Sequence, residues 1–402
     1  VTKKIAIMCG GDWKNSGNLI MTQNFISYIC KQVKDIEFII FESSKTQLAR
    51  DTIDIVLSGL DVDITYSHQG EWEWKNTCRW LRRLGMSSEI VSPVDKCDAV
   101  VFLGGDHFIG RHCSYWSGIQ KWIYKCCNII NLKQKGKKIY IVSQSVGSFP
   151  YYLKPLIKMM FKCVDGIYCR DTAGVRELKK IGIVDNVTLT YDLGFLPLHN
   201  EITDRYKGSI KGDYVTFTVS DLFHAYSDTI EEHAYKLTNM IHTLHDVTKL
   251  PVYVMVHSCN IDEQELVCRL FRMTNNPNIY YLPPSYPLQT RYILGSSKLN
   301  VSMRMHATIS SLEQGVPSLP ISNTSDKSGG PKNIRYTALY HDLKLTDRIV
   351  GGLNHDDFKK KLKDIWQFND VGIYPLYIET HIKPTIKKAM IPINDIAKEM
   401  NK

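Results

Sequence analysis

Arg304 and His306 stand two residues apart in the stretch Ser302–Pro317, SMRMHATISSLEQGVP. Arginine is a permanent cation whose forked donors match a carboxylate or a phosphate, and histidine moves a proton near neutral pH. Just upstream, SKLNVSM is apolar at Leu299, Val301 and Met303, a strand-like alternation. Downstream, Met305, Ile309, Leu312 and Val316 trace one buried face of a helix that Gly315 and Pro317 end. The pair therefore sits where a strand feeds a helix N-terminus, and backbone N–H groups and the helix dipole favour an anion there. The alternative is an arginine paired with a local carboxylate and a histidine packed at a helix end. Spacing alone does not choose between them.

Three further turns place polar groups at predicted strand ends. YCRDTAG (Tyr168–Gly174) puts Arg170 before a helix that Asp171 or Thr172 can cap. LGGDH (Leu103–His107) ends a buried strand and sets Asp106 and His107 beside Gly105, a group suited either to sugar hydroxyls or to a structural turn. SQSVGSF offers the amide of Gln144 and the hydroxyl of Ser145. The first turn, GGDWKNSGN, lacks the GK[ST] of a phosphate loop and a clean GxGxxG. Should Arg170, Arg304 and His306 converge, a small di- or trianion is the natural ligand.

The elements that must hold these residues alternate throughout. KIAIMC, IEFIIFE, DAVVFLGGD, KKIYIVSQS, VDGIYCRD and VTLTYDLGF read as strands separated by helical patterns. After a polar stretch, NEITDRYKGSIKG, the series restarts with DYVTFTVS, a helix over 229–248, VYVMVHS, a helix from Glu263, and NIYYLPP. Such βαβ series imply parallel sheets covered by helices. The expected fold is α/β, two Rossmann-like domains facing across a cleft in a GT-B-like arrangement. The expected domains are 1–205, 206–355 and a helical segment, 356–402. Ligands of such sheets bind at the carboxyl ends of the strands.

Composition narrows the function classes. The net charge of +9 over 402 residues suits an anionic ligand, but the lysines are scattered and no basic tract stands out, so nucleic acid is not expected. No run of 18 apolar residues predicts a membrane span. The N-terminal VTKKIAIMCGG lacks the long apolar segment of a secretory leader, and the expected location is cytoplasmic. The 11 cysteines include no CxxC pair and read as reduced thiols, with no metal site expected. Two sequons, Asn300 and Asn323, flank the opening stretch, where a glycan would obstruct it.

In combination these residues resemble the polysaccharide pyruvyl transferase family, over about residues 4–330. The resemblance rests on Gly17-Asn18 after the first strand, Gly104-Gly105, Gln144-Ser145-Val146-Gly147 and Arg170-Asp171. It continues with Asp192 and Phe195, and with Arg304, His306, Gly315 and Pro317. Asp106 stands where a third glycine is common, and Asn323-Thr324-Ser325-Asp326 where an aromatic often precedes the lysine, here Lys327. The resemblance implies transfer of a pyruvyl group from phosphoenolpyruvate to two hydroxyls of a glycan sugar, forming a cyclic ketal with no metal or cofactor. It implies Arg170, Arg304, His306 and Lys327 toward the donor, and Asn18, Gly105, Asp106, His107, Gln144 and Ser145 toward the acceptor. His306, Arg304 and Asp106 are the expected catalytic residues, Asp106 as the base. A GT-B glycosyltransferase using a nucleotide sugar is the alternative. It needs a ribose-binding carboxylate, for which Glu313 is the candidate.

Overall fold

The computed structural model describes residues 2–9, 16–42, 62–68, 93–105, 108–109, 116–147, 149, 151–197, 210–220, 226–257, 261–283, 285, 287–322, 331–370 and 373–402. The chain divides into two compact units. The first comprises Val1–Trp13, Met21–Leu193 and Lys388–Lys402, and the second Lys14–Ile20 and Gly194–Lys387.

The first unit is built on a seven-stranded sheet. Its strands are β1 (Lys3–Cys9), β2 (Ile36–Glu42), β3 (Asp63–His68), β4 (Ala99–Leu103), β6 (Lys138–Gln144), β8 (Gly166–Cys169) and β9 (Val187–Leu189). Their order is β3-β2-β1-β4-β6-β8-β9, with parallel pairing between neighbours. A separate two-stranded pair joins β5 (Phe108–Ile109) to β7 (Val146–Gly147). Ile5, Ala6, Ile7 and Met8 are all buried, which is why β1 reads as a continuous apolar run: a parallel strand is covered on both faces. Ala6, Met8, Val100, Phe102, Ile139 and Ile141 share one face at a spacing of two. They pack with Trp122, Cys126 and Ile129 of helix Trp116–Gln134 and with Ile157 and Phe161 of helix Lys154–Lys162.

The second unit repeats the plan with six strands. These are β10 (Val215–Thr218), β11 (Val252–Met255), β12 (Ile279–Tyr281), β13 (Asn300–Ser302), β14 (Ser318–Ser322) and β15 (Val350–Gly351). They are ordered β12-β11-β10-β13-β14-β15, again parallel. Helix Ile230–Thr248 starts where its sequence dictates. Thr229 accepts a hydrogen bond from the Glu232 N–H at 3.1 Å, and Lys249 ends it in the left-handed region (φ 57°) ahead of Pro251.

Both sheets reverse direction once, between β1 and β4 and between β10 and β13. That is the switch point of a doubly wound sheet, where the loops at the carboxyl ends diverge and leave room for a ligand. The unit boundary falls at Leu193/Gly194, ahead of the polar stretch at which the sequence placed it, because Gly194 and Leu196 are already bound to Arg291 of the second unit. The C-terminal helical segment also divides. Helix His355–Asp370 belongs to the second unit, whereas helix Ile391–Met400 packs on the first sheet. There Asp395 accepts from Tyr168 at 3.0 Å and Glu399 pairs with Lys138 at 2.9 Å. Side-chain partners distant in sequence decide that assignment, and local pattern does not carry them.

Among the described residues, no helix is long and apolar enough to cross a membrane, and no group of His, Cys, Asp or Glu could hold a metal ion.

Candidate active site

In the second unit, β13 ends at Ser302 and helix Met305–Glu313 begins three residues later. The short turn is tied by Ser302, whose hydroxyl accepts from the Arg304 N–H at 3.0 Å and donates to the Arg304 carbonyl at 2.8 Å. Arg304 is the N-cap residue, in extended conformation (φ −117°, ψ 124°), and its side chain makes no cap hydrogen bond. Beneath it, the buried Asn300 amide donates to Ala307 O at 3.3 Å and accepts from Thr216 at 3.1 Å, fixing the helix start on the sheet. Full burial of Asn300 also leaves no room for a glycan. Gly315 takes φ 82° just past the helix end, as its position in the pattern predicts.

Two residues from the strand-helix unit of β11, one strand removed across β10, join Arg304 and His306. His257 follows the end of β11, and Glu263 lies in the first turn of helix Ile261–Met273. The Glu263 carboxylate, fully buried, forms an ion pair with Arg304, whose side chain is 19% exposed. It also accepts the His257 N–H at 3.2 Å. The alternative reading of Arg304 is therefore realised in part: it does have a carboxylate partner. The ring of His257 is buried, with neither nitrogen hydrogen-bonded. Burial, reinforced by His306 and Arg304 close by, holds that ring well below its ordinary value of 6.5. The opening turn of helix Ser16–Cys30 completes the cluster. Its Ser16 N–H donates to the His257 carbonyl at 3.2 Å, and Gly17 lies directly against the His306 imidazole.

The expected acceptor groups and Arg170 belong to the first unit, apart from Asn18, which is buried in that opening turn of helix Ser16–Cys30. Strand β6 bulges between Val142 and Gln144, with Ser143 left-handed at φ 54°. The Gln144 amide donates to the Gly104 carbonyl, while Gly104 and Gly105 adopt φ 62° and 81°. Arg170 is 5% exposed. Its Nε donates to Ser145 Oγ at 2.7 Å and its Nη1 to Asp192 Oδ2 at 3.3 Å. Ser145 in turn donates to Asp171 Oδ2 at 3.0 Å, and Asp171 caps helix Thr172–Lys180 through the Gly174 N–H at 2.7 Å. Arg170 thus lies in a buried network with Ser145, Asp171 and Asp192, rather than alone at a strand end. Asp106, His107 and Lys327 lie outside the described residues.

Glu313 is engaged elsewhere. It pairs with the buried Arg291 at 2.7 Å, and burial pushes its carboxyl up, against the pull of that arginine. Thiol chemistry is not favoured at several sites: burial pushes Cys30, Cys97 and Cys126 up to about 12, far from a thiolate at neutral pH.

His257 and Glu263 are absent from the sequence-derived list. The signal for His257 was present, since VYVMVHS places it at the carboxyl end of a strand by the rule that singled out Arg304. Glu263 had no signal, because a glutamate in a helix's first turn is ordinarily a solvated partner of the dipole.

No curated protein sequence matches the chain. Its solved structural neighbours share the fold at low identity. UDP-GlcNAc 2-epimerase from Neisseria meningitidis bound to UDP-GlcNAc aligns at 12% identity and TM-score 0.56, covering 98% of this chain and 100% of that one. The enzyme of that name from Methanocaldococcus jannaschii, in complex with UDP-GlcNAc and UDP, aligns at 12% and 0.54, covering 90% and 92%. A glycosyltransferase from Rickettsia africae aligns at 11% and 0.57, covering 100% and 99%. These likenesses establish the GT-B-like α/β class. The family model for polysaccharide pyruvyl transferase matches residues 15–325, a span that takes in Gly17, Gln144, Arg170, Arg304 and His306. The chain belongs to the polysaccharide pyruvyl transferase family.

Proposed function

We propose that the protein transfers a pyruvyl group from phosphoenolpyruvate to two hydroxyls of one glycan sugar, forming a cyclic ketal. The observation that carries this reading is the pairing of Arg304 with His306 at a helix N-terminus beside the switch point of the second sheet. Phosphoenolpyruvate brings a carboxylate and a phosphate, and both need cationic or N–H partners.

The residues divide the chemistry as follows. An acceptor hydroxyl adds to C2 of the donor while C3 takes up a proton. The proton lost by the hydroxyl passes to a base, for which Asp106 is the candidate. Cleavage of the C2–O bond releases phosphate. A second hydroxyl of the same sugar then attacks C2 and loses its proton, closing the ring. Arg304 offsets the charge that grows on the leaving phosphate, and His306 supplies a proton or grips that phosphate. Arg170 and Lys327 are further cations on the donor side. Asn18, Gly105, Asp106, His107, Gln144 and Ser145 serve the acceptor.

The competing reading is transfer from a nucleotide sugar. The engagement of Glu313 by Arg291 weighs against it, because the carboxylate that would hold the ribose is already bound. Incubation of the protein with phosphoenolpyruvate and a panel of diol-bearing glycans tests the proposal. The expected result is phosphate release that depends on acceptor, with product heavier by pyruvic acid less water. Turnover of UDP-sugars with none of phosphoenolpyruvate would overturn it.

A further inference from the structure

We propose that Gly17 is a positioning residue, whose bare Cα in the first turn of helix Ser16–Cys30 forms the seat that fixes the His306 imidazole. A Cβ built on Gly17 would stand 2.7 Å from His306 Cε1 and closer still to Nδ1 and Cγ. Overlap with Cγ matters most. It is the root of the ring, so tilting the imidazole does not relieve it and the side chain must leave its rotamer. The turn that carries Gly17 has little freedom to retreat. Ser16 and Asn18 on either side are buried, and the Ser16 N–H is bonded to the His257 carbonyl. Backbone conformation does not explain a glycine here, because Gly17 is not among the residues with positive φ. Within a helix, alanine is favoured over glycine by about 1 kcal/mol. Close approach of the imidazole is the reason that remains.

The kinetic consequence rests on the function proposed above; the seat itself does not. The test therefore has two arms. Imidazole resonances are recorded by 15N-edited NMR without any ligand, with His306→Ala identifying the His306 signals. In Gly17→Ala those signals should move while those of distant histidines stay. With phosphoenolpyruvate and an acceptor, Gly17→Ala should lower kcat roughly 100-fold, the scale of a 1 Å misplacement, at an unchanged or raised Tm. Added to His306→Ala, it should cost nothing further, since the two act as one unit. If Gly17→Ala folds poorly, His306→Ala should restore its Tm by vacating the space. An unmoved His306 signal, or a folding defect that His306→Ala does not repair, overturns the proposal. Absence of turnover by the unaltered protein would instead overturn the function, and the NMR arm would still decide the seat.

Discussion

The carboxyl edges of the two sheets share one topology and differ in how their polar groups are satisfied. At the first edge, Arg170, Ser145, Asp171 and Asp192 form one bonded network, with Arg170 ion-paired to Asp192 inside the unit. At the second, Arg304 leans on a buried carboxylate while keeping partial exposure, and His257 sits beside it with its ring nitrogens unpaired. The first arrangement braces a strand end. The second keeps its arginine partly exposed at the strand end. Two arginines at equivalent strand ends thus each pair with a fully buried carboxylate, and the difference lies in exposure: the Arg170 side chain is nearly closed off, whereas that of Arg304 is partly open.

The largest effect that would break this comparison concerns the first edge. Asp192→Ala leaves the Arg170 guanidinium buried without its carboxylate. The expected loss of stability is about 3–5 kcal/mol, read by denaturant unfolding. An unchanged midpoint would show that the first edge is not a brace.

The next effect concerns the second edge. Arg304→Ala should weaken phosphoenolpyruvate binding roughly 10- to 150-fold, from the 1.5–3 kcal/mol of a charged hydrogen bond. Arg304→Lys should recover only part of this, since lysine lacks the fork. Calorimetric titration decides: normal affinity with a lowered Tm would assign Arg304 to stability alone.

His257 sharpens the contrast through pH. Its folded value is depressed, so between that value and 6.5 the unfolded chain binds a proton that the folded chain does not. Stability then rises with pH, and it falls as pH drops below 6.5, by about 1.4 kcal/mol per unit. Arg304 and His306, the groups facing the ring, both oppose its protonation. His257→Gln should flatten this slope in urea melts taken from pH 6.5 downward, and an unaltered slope would mean that other groups produce it.

The smallest effect returns to the first edge. Asp171→Ala removes the cap of helix Thr172–Lys180 and the acceptor of Ser145, at a cost of about 1 kcal/mol. Kinetics in the protein that remains folded should be close to normal. A large drop in turnover at constant Tm would show that Asp171 also orients Ser145 toward the acceptor.

By itself the sequence determined the α/β class, the restart of the pattern in a second unit and the strand-to-helix turn at Arg304. It did so because those features rest on periods of two and 3.6, on caps and on glycine at a helix end, all read within a dozen residues. Gly315 acts where the pattern put it. The motif order likewise sufficed to point to the family. Tertiary structure alone decided that Glu263 pairs with Arg304, that Asp192 pairs with Arg170 and that Glu313 is taken by Arg291. It also decided that the last helix joins the first sheet and that Gly17 lies under His306. Each of these is a contact between residues 22 or more positions apart, set by which strand ends the sheet order brings together. A charge or a glycine in a sequence carries no record of the partner it will meet.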